Sequence, residues 1–159
     1  MSVLEAHRAA IVATLAAVPD IGVVHDRERY AASNADFSRL YSFKAADGQP
    51  HIRGWWVRRS ATQERSHLLG PRYEQTHTWT VRGFLSFNDA LASEIILDGL
   101  VEQFRAAVRA DLTLGGICQP PPRSEQGVDG VQVVEVGPVH FAGALCHSVL
   151  LQLDTWSLQ

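Results

Sequence analysis

The first eighteen residues repeat apolar side chains at helical spacing. Large or semi-apolar positions recur every three or four residues, with alanines between them and Ser2 placed to cap the start, namely Leu4, His7, Ile11, Leu15 and Val18. This spacing is typical of an amphipathic helix. Pro19 ends it, and Ile21–His25 is a short β-branched run that indicates a first strand.

After the turn residues 46–50 the period changes to two, which predicts two strands over residues 52–57 and 77–85. Both faces of the first of these strands carry a tryptophan, so both faces should be at least partly covered. The polar, arginine-rich residues 60–72 lie between them and are long for a hairpin turn. They predict a flexible loop that orders when a partner binds. Residues 34–43 fit either a short helix or an ordered loop.

A second amphipathic helix follows residue 88, with Asn88 or Ser93 as its cap and Leu114-Gly115-Gly116 as its end. Residues 131–139 and 143–156 predict two last strands. The sequence therefore predicts one α+β domain over residues 1–159, in the order α-β-β-β-α-β-β. Two helices should pack on one face of a mostly antiparallel sheet.

Composition changes this prediction little. The 159 residues include 14 basic and 17 acidic side chains, for a formal net charge of −3, which gives no general attraction to nucleic acid or membranes. No apolar run reaches the length of a membrane span, and the N-terminus lacks the features of a signal peptide. The two cysteines, Cys118 and Cys146, form no disulfide pattern, so reduced thiols in a cytosol are expected.

The candidate chemistry is sparse. The seven histidines are scattered, and phosphate-loop, dinucleotide-binding, nucleophile-elbow and zinc-protease motifs are absent. We therefore expect no catalytic, cofactor or metal site and no enzyme activity. An alternative is a small-ligand protein or enzyme with a pocket between helices and sheet, where His77, His147 or Asp154 converge. A weaker one is nucleic-acid binding through residues 53–72 and Trp55.

The element order, the strand Thr76-His77-Thr78-Trp79-Thr80-Val81, the helix from Ile95 to Ala110 and the strand from Cys146 to Trp156 together resemble the tail-terminator and tail-completion proteins of long-tailed bacteriophages. The resemblance implies a structural subunit, assembled in the host cytoplasm, whose ring, commonly a hexamer, ends up in the virion. Such a ring caps the tail tube and joins it to head-neck connector proteins, and DNA only passes through it. The residues expected at partner interfaces are Arg58, Arg59, Arg65, Arg72 and Trp55.

Overall fold

A twisted sheet forms the centre of the fold, and helices cover parts of both of its faces. The computed structural model describes residues 1–66, 70–122 and 129–159. The helices are Val3–Ala16 (α1), Asn34–Leu40 (α2) and Ser93–Ala110 (α3), with a 3-10 turn at Asp89–Leu91. The strands are Val23–His25 (β1), Ser42–Lys44 (β2), Pro50–Ser66 (β3), Tyr73–Ser86 (β4), Gln132–Phe141 (β5) and Ala144–Leu158 (β6).

The strand order is β1-β3-β4-β6-β5, and β2 pairs with the beginning of β3. The pairing of β1 with β3 is parallel and the other pairings are antiparallel. The predicted α+β class and mostly antiparallel sheet are confirmed. The predicted order is wrong in one region, because α2 and β2 add a third helix and a further strand between β1 and β3.

The main core lies under α1 and α3. Ile11 and Leu15 of α1 and Phe104 of α3 are almost fully buried against Trp79 and Leu151 of the sheet. The predicted cap of α1 is present: the Ser2 hydroxyl accepts a hydrogen bond from Glu5 N at 3.2 Å, and Ser2 N donates to the Glu5 carboxylate at 2.6 Å. This reciprocal pair satisfies two donors that a helix start leaves open.

A second, smaller core lies on the opposite face of the sheet, beneath α2. It contains Tyr41, Ile52, Trp56, Phe84 and Cys146. The sequence left residues 34–43 open between a helix and a loop, and the chain is helical over Asn34–Leu40 and extended over Ser42–Lys44. The short helix α2 covers this face. The two predicted helices, α1 and α3, cover only the other face, so the sequence did not predict the smaller core.

The helix α3 ends earlier than the glycine signal at 115–116 predicts. It stops at Ala110, and Asp111 closes the following turn by accepting hydrogen bonds from Thr113 N at 2.9 Å and Gly115 N at 2.7 Å. Leu114 has a positive φ of 51° in this turn. A side-chain acceptor thus replaces the expected glycine termination.

The predicted flexible loop at residues 60–72 is wrong over most of its length. Residues 60–66 continue β3, which pairs with β4 as far as Ser66 and Tyr73. Residues 67–69 of that prediction lie outside the described residues. We call residues 58–66 of β3 with residues 73–80 of β4 the hairpin arm. Alternating polar side chains on both faces explain why it gave no apolar strand pattern.

Candidate functional site

The β3 half of the hairpin arm, residues 58–66, is exposed and lacks a strand partner on one side. β1 pairs with β3 at Gly54–Trp56, and β2 pairs with it at Pro50–Ile52. Beyond Val57 no described strand pairs with this edge, and residues 58–66 are all exposed. An open strand edge presents unpaired N–H and C=O groups that can pair with another chain. The arm is therefore a candidate contact surface.

Three arginines and one glutamate lie along the β3 side of the arm. Arg58 forms an ion pair with Glu28 at 2.9 Å and lies over the Trp56 ring, with 5.1 Å to its centroid. Arg59 donates to the Thr62 hydroxyl at 3.3 Å. Of the predicted interface arginines, Arg58 is the one with an ion pair among the described residues. Arginine side chains suit protein carboxylates because of their planar donor fork.

A β-bulge determines how these arginines are distributed. The register between β3 and β4 shifts between Arg59 and Ala61, so Ser60 is the extra residue. Arg59 lies opposite Trp79 and therefore faces α1 and α3, since cross-strand neighbours share a face. Arg65 lies opposite Glu74, which places it on the other face. The structure brings Arg58, Arg59 and Arg65 onto one strand, with Arg72 exposed just before β4.

Trp55 was expected at a partner interface, and the structure contradicts this. Its side chain is 1% exposed in the main core, and its Nε1 donates to Ile21 O at 2.8 Å. Gly83 lies opposite it, where a Cβ would come within 2.3 Å of the ring. A ring enclosed in this way cannot contact a partner or stack on a base, so the nucleic-acid alternative loses its aromatic platform.

A buried polar network connects α1 to the sheet where the arm leaves the core. Trp79 Nε1 donates to the Thr155 hydroxyl at 2.8 Å, and that oxygen lies 2.8 Å from His7 Nδ1. Because an indole can only donate, the hydroxyl accepts from Trp79, and which partner donates between the hydroxyl and His7 depends on the imidazole tautomer. Burial lowers the pKa of His7, and also that of His77, whose ring centroid lies 5.5 Å from that of His7. Burial thus favours the neutral form of both imidazoles.

The polar residues of the alternative pocket do not converge. His77 lies opposite Thr155, whereas His147 is eight residues earlier on β6, about 26 Å away along the strand. His147 Nε2 is instead 2.7 Å from the Ser93 hydroxyl, at the start of α3. Asp154 precedes Thr155 and so lies on the opposite face. The expected combination of His77, His147 and Asp154 in one pocket is wrong.

A groove that the sequence did not predict lies between α3 and the β2–β3 hairpin. Its volume is about 570 Å³, and its walls include Phe43, Ile96 and Leu100. Arg53 lies in it, with its guanidinium 4.8 Å from the Phe43 ring centroid and donating to Asp20 O at 3.1 Å. Its Nε is buried without a hydrogen-bond partner among the described residues. Burial lowers the pKa of Arg53.

The two cysteines are not suited to nucleophilic catalysis. Both are buried free thiols, and burial raises the pKa of each to about 11. The thiolate, which is the reactive form, is therefore scarce near neutral pH. No group of three potential ligands in residues 1–66, 70–122 and 129–159 is arranged to hold a metal ion.

The outer strand β5 is a second feature that the sequence did not mark as functional. It pairs with β6 on one side, and none of the described strands pairs with its other side. Val133, Val134 and Val136 on this strand are 42%, 53% and 48% exposed. Next to it, a cleft of about 230 Å³ runs against α3, with Asp98 and Glu102 among its lining residues.

Comparison with known proteins gives no family for this chain. No protein-family model matches the sequence, and no curated protein matches it either. No helix in the described part of the chain is both long enough and apolar enough to span a membrane.

Proposed function

We propose that this chain is a structural subunit that assembles into an oligomeric ring, and that the ring caps a phage tail tube and joins the tail to head-neck proteins. The observation that carries the proposal is the hairpin arm, an exposed strand with one open edge and several arginines. The tail, the neck and a six-membered ring come from the resemblance described above. The open arm supports the more general part, which is contact with other protein subunits.

The two open strand edges support assembly in particular. Open edges promote pairing with further chains, and proteins that stay monomeric usually shorten or cover them. Here the open edge of the arm and the open edge of β5 are the two opposite edges of the same sheet.

Light scattering coupled to size exclusion tests the ring, and negative-stain electron microscopy shows whether it is closed. We expect a mass several times that of the monomer. Co-sedimentation with tail tubes from the same genome then tests capping. A chain that stays monomeric when concentrated would contradict the proposal.

Arg72 provides a sharper test of tube binding, because it is exposed at the far end of the arm. We expect Arg72→Glu to weaken co-sedimentation while leaving the ring mass unchanged. Arg39→Glu is the matched control, since Arg39 is an exposed arginine of α2, on a different part of the surface. Equal loss of tube binding in both variants would point to general charge attraction and not to the arm.

The groove at Arg53 favours a second candidate function, the binding of a small carboxylate. An arginine with an unpaired buried Nε beside apolar walls can form a charge-assisted hydrogen bond to such a ligand. A thermal-shift series with mono- and dicarboxylates tests this, because a ligand that binds the folded state raises its melting temperature. The shift should vanish in Arg53→Met. No shift with any carboxylate would remove this candidate.

A further inference from the structure

We propose that β5 of one copy of this chain pairs with residues 58–66 of β3 in the next copy, so that a continuous antiparallel sheet passes from subunit to subunit. This inference rests on the proposed ring and names the surfaces that would build it. Its starting point is that the sheet ends on one side at β5 and on the other side at the hairpin arm, and both edges are open among the described residues.

The strand directions fit this joint. Three antiparallel pairings, β3 with β4, β4 with β6 and β6 with β5, separate the two edges, so β5 runs opposite to β3. When neighbouring copies keep the same orientation, β5 therefore meets the next β3 antiparallel. Residues 58–66 and β5 have nine and ten residues, which allows hydrogen bonding over most of either strand.

The position of the open edge also fits. β1 occupies the edge of β3 only at Gly54–Trp56. A second copy's β5 would lie beside the arm, following β1 along the same edge. The centre of β5 lies opposite Ser148, whereas Thr62 of the arm is in register with His77 and Thr155. Ser148 and Thr155 are seven residues apart, so each copy would be displaced by about 23 Å along the strands relative to the next. A stagger of this kind tilts strands in a closed sheet.

Opposite charges at the two edges favour a second copy of this chain as the occupant, although Arg65 also lies opposite Glu74 of its own β4. On the face that carries α1 and α3, the arm presents Arg59 and, towards its tip, Glu64, which lies opposite Gln75. On the same face the cleft beside β5 presents Asp98 and Glu102, and because Glu102 is already paired with Arg105 at 2.7 Å, the opposite charges across the joint are Arg59 and Asp98. On the opposite face, the arm presents Arg65. Glu135 lies on that same face of β5, because it is opposite Leu150, between the inward-facing Val149 and Leu151. Each arginine thus meets an acidic residue on its own side of the joined sheet.

The apolar side chains of β5 support the same arrangement. Val133 and Val136 line the cleft against Leu97 and Val101 of α3, yet they remain about half exposed. A strand added beside β5 would cover part of them, which favours association. Pairing two β5 strands about a two-fold axis would bring their acidic residues together, and it would leave the arm unused. The arm–β5 contact joins different patches, so it is head-to-tail and forms a ring when the rotation closes.

Charge reversal on each side tests the joint. The first variant is Arg59→Glu with Arg65→Glu, and the second is Asp98→Lys with Glu135→Lys. Each places like charges at the contacts of Arg59 with Asp98 and of Arg65 with Glu135, and we expect each to weaken association about tenfold or more. Mixed in equal amounts, the two variants have opposite charges at every contact when they alternate around the ring, so the ring mass should return. Arg39→Glu with Lys44→Glu is the matched control, because both side chains are exposed cations that lie on α2 and β2, outside the arm and β5.

Light scattering and circular dichroism, measured on every variant, separate the outcomes. Loss of the ring in each folded variant, with recovery on mixing, would support the joint. If both variants keep the ring, the ring proposal stands and this pairing is overturned. The pairing is also overturned if mixing fails to restore the ring. It is likewise overturned if only the second variant weakens association, because that result indicates contact between two β5 strands. A wild-type monomer would instead overturn the proposed function itself.

Discussion

Residues 54–57 and residues 58–66 belong to the same strand, yet they have opposite environments. The first segment is buried, with Trp55 and Val57 in the main core and Trp56 in the smaller one, and Gly54–Trp56 pair with both β1 and β4. The second segment is paired with β4 alone, and all of its residues are exposed. The boundary lies where β1 ends. This contrast teaches that strand length and burial are set separately: backbone pairing extends β3 well beyond the region that packing stabilises.

The largest expected difference between the two segments comes from removing a large side chain from each. Trp55→Ala should lower the free energy of unfolding by about 3–5 kcal/mol, because it leaves a cavity and an unpaired Ile21 carbonyl. Gln63→Ala in the arm should change it by less than about 0.5 kcal/mol. Urea unfolding measures both. Similar losses would mean that the arm is part of the stabilising core.

A smaller effect is expected from adding a methyl group opposite Trp55. Gly83→Ala should cost about 1–3 kcal/mol, because the new Cβ would lie 2.3 Å from the indole ring. Gly99→Ala is the control, and we expect it to raise stability. Nothing lies within 4 Å of its added Cβ, and alanine is favoured over glycine in the interior of a helix such as α3 by about 1 kcal/mol. Melting temperatures would rank the two variants, and a stable Gly83→Ala protein would show that Trp55 can move.

The free energy of unfolding should depend on pH because of two buried histidines, His7 and His77. The pKa values of His7 and His77 are lowered from 6.5 mainly by burial, so the unfolded chain binds protons more readily than the folded one. Stability is then fully present above pH 6.5 and decreases as the pH falls below that value toward the folded-state pKa. His7→Asn should flatten this slope in chemical unfolding measured across the range. An equally steep slope in the variant would assign the effect to other groups.

A small change is also expected at Arg58, the first residue of the arm. Arg58→Ala removes the ion pair with Glu28, whose partners are both partly exposed, so the loss of stability should stay below about 1 kcal/mol. Glu28→Ala should cost a similar amount, and the double variant should cost little more than either. A loss as large as that of Trp55→Ala would place Arg58 with the buried segment.

Much of the fold follows from apolar periodicity. Helix α1, the beginning of β3, the centre of β4 and the strand β6 all have one face in a core, and their patterns identified them. The strand β5 was identified from its β-branched residues, although none of them is buried. The continuation of β3 past Arg59 could not be found in the same way, because its side chains are polar on both faces. It is held by backbone hydrogen bonds to β4, and these do not depend on the pattern of apolar and polar side chains.

The candidate surfaces were predicted less completely. Arg58, Arg59 and Arg65 were identified from local charge, but Trp55 was placed with them although its side chain points into the core. Adjacent residues on a strand face opposite ways, so sequence proximity was misleading there. The open edge of β5 depends on which strand lies outermost, and that order is a property of the whole sheet. The groove at Arg53 likewise requires α3 and the β2–β3 hairpin to meet.

The two buried cysteines have a practical consequence for measuring how subunits assemble. Because Cys118 and Cys146 are enclosed and their pKa values lie near 11, a maleimide dye at neutral pH should modify them slowly. A cysteine introduced at the exposed Gln63 can therefore be labelled selectively in the natural sequence. Energy transfer between labels on mixed donor and acceptor subunits would then report the spacing of neighbouring arms, and the natural thiols need not be replaced first.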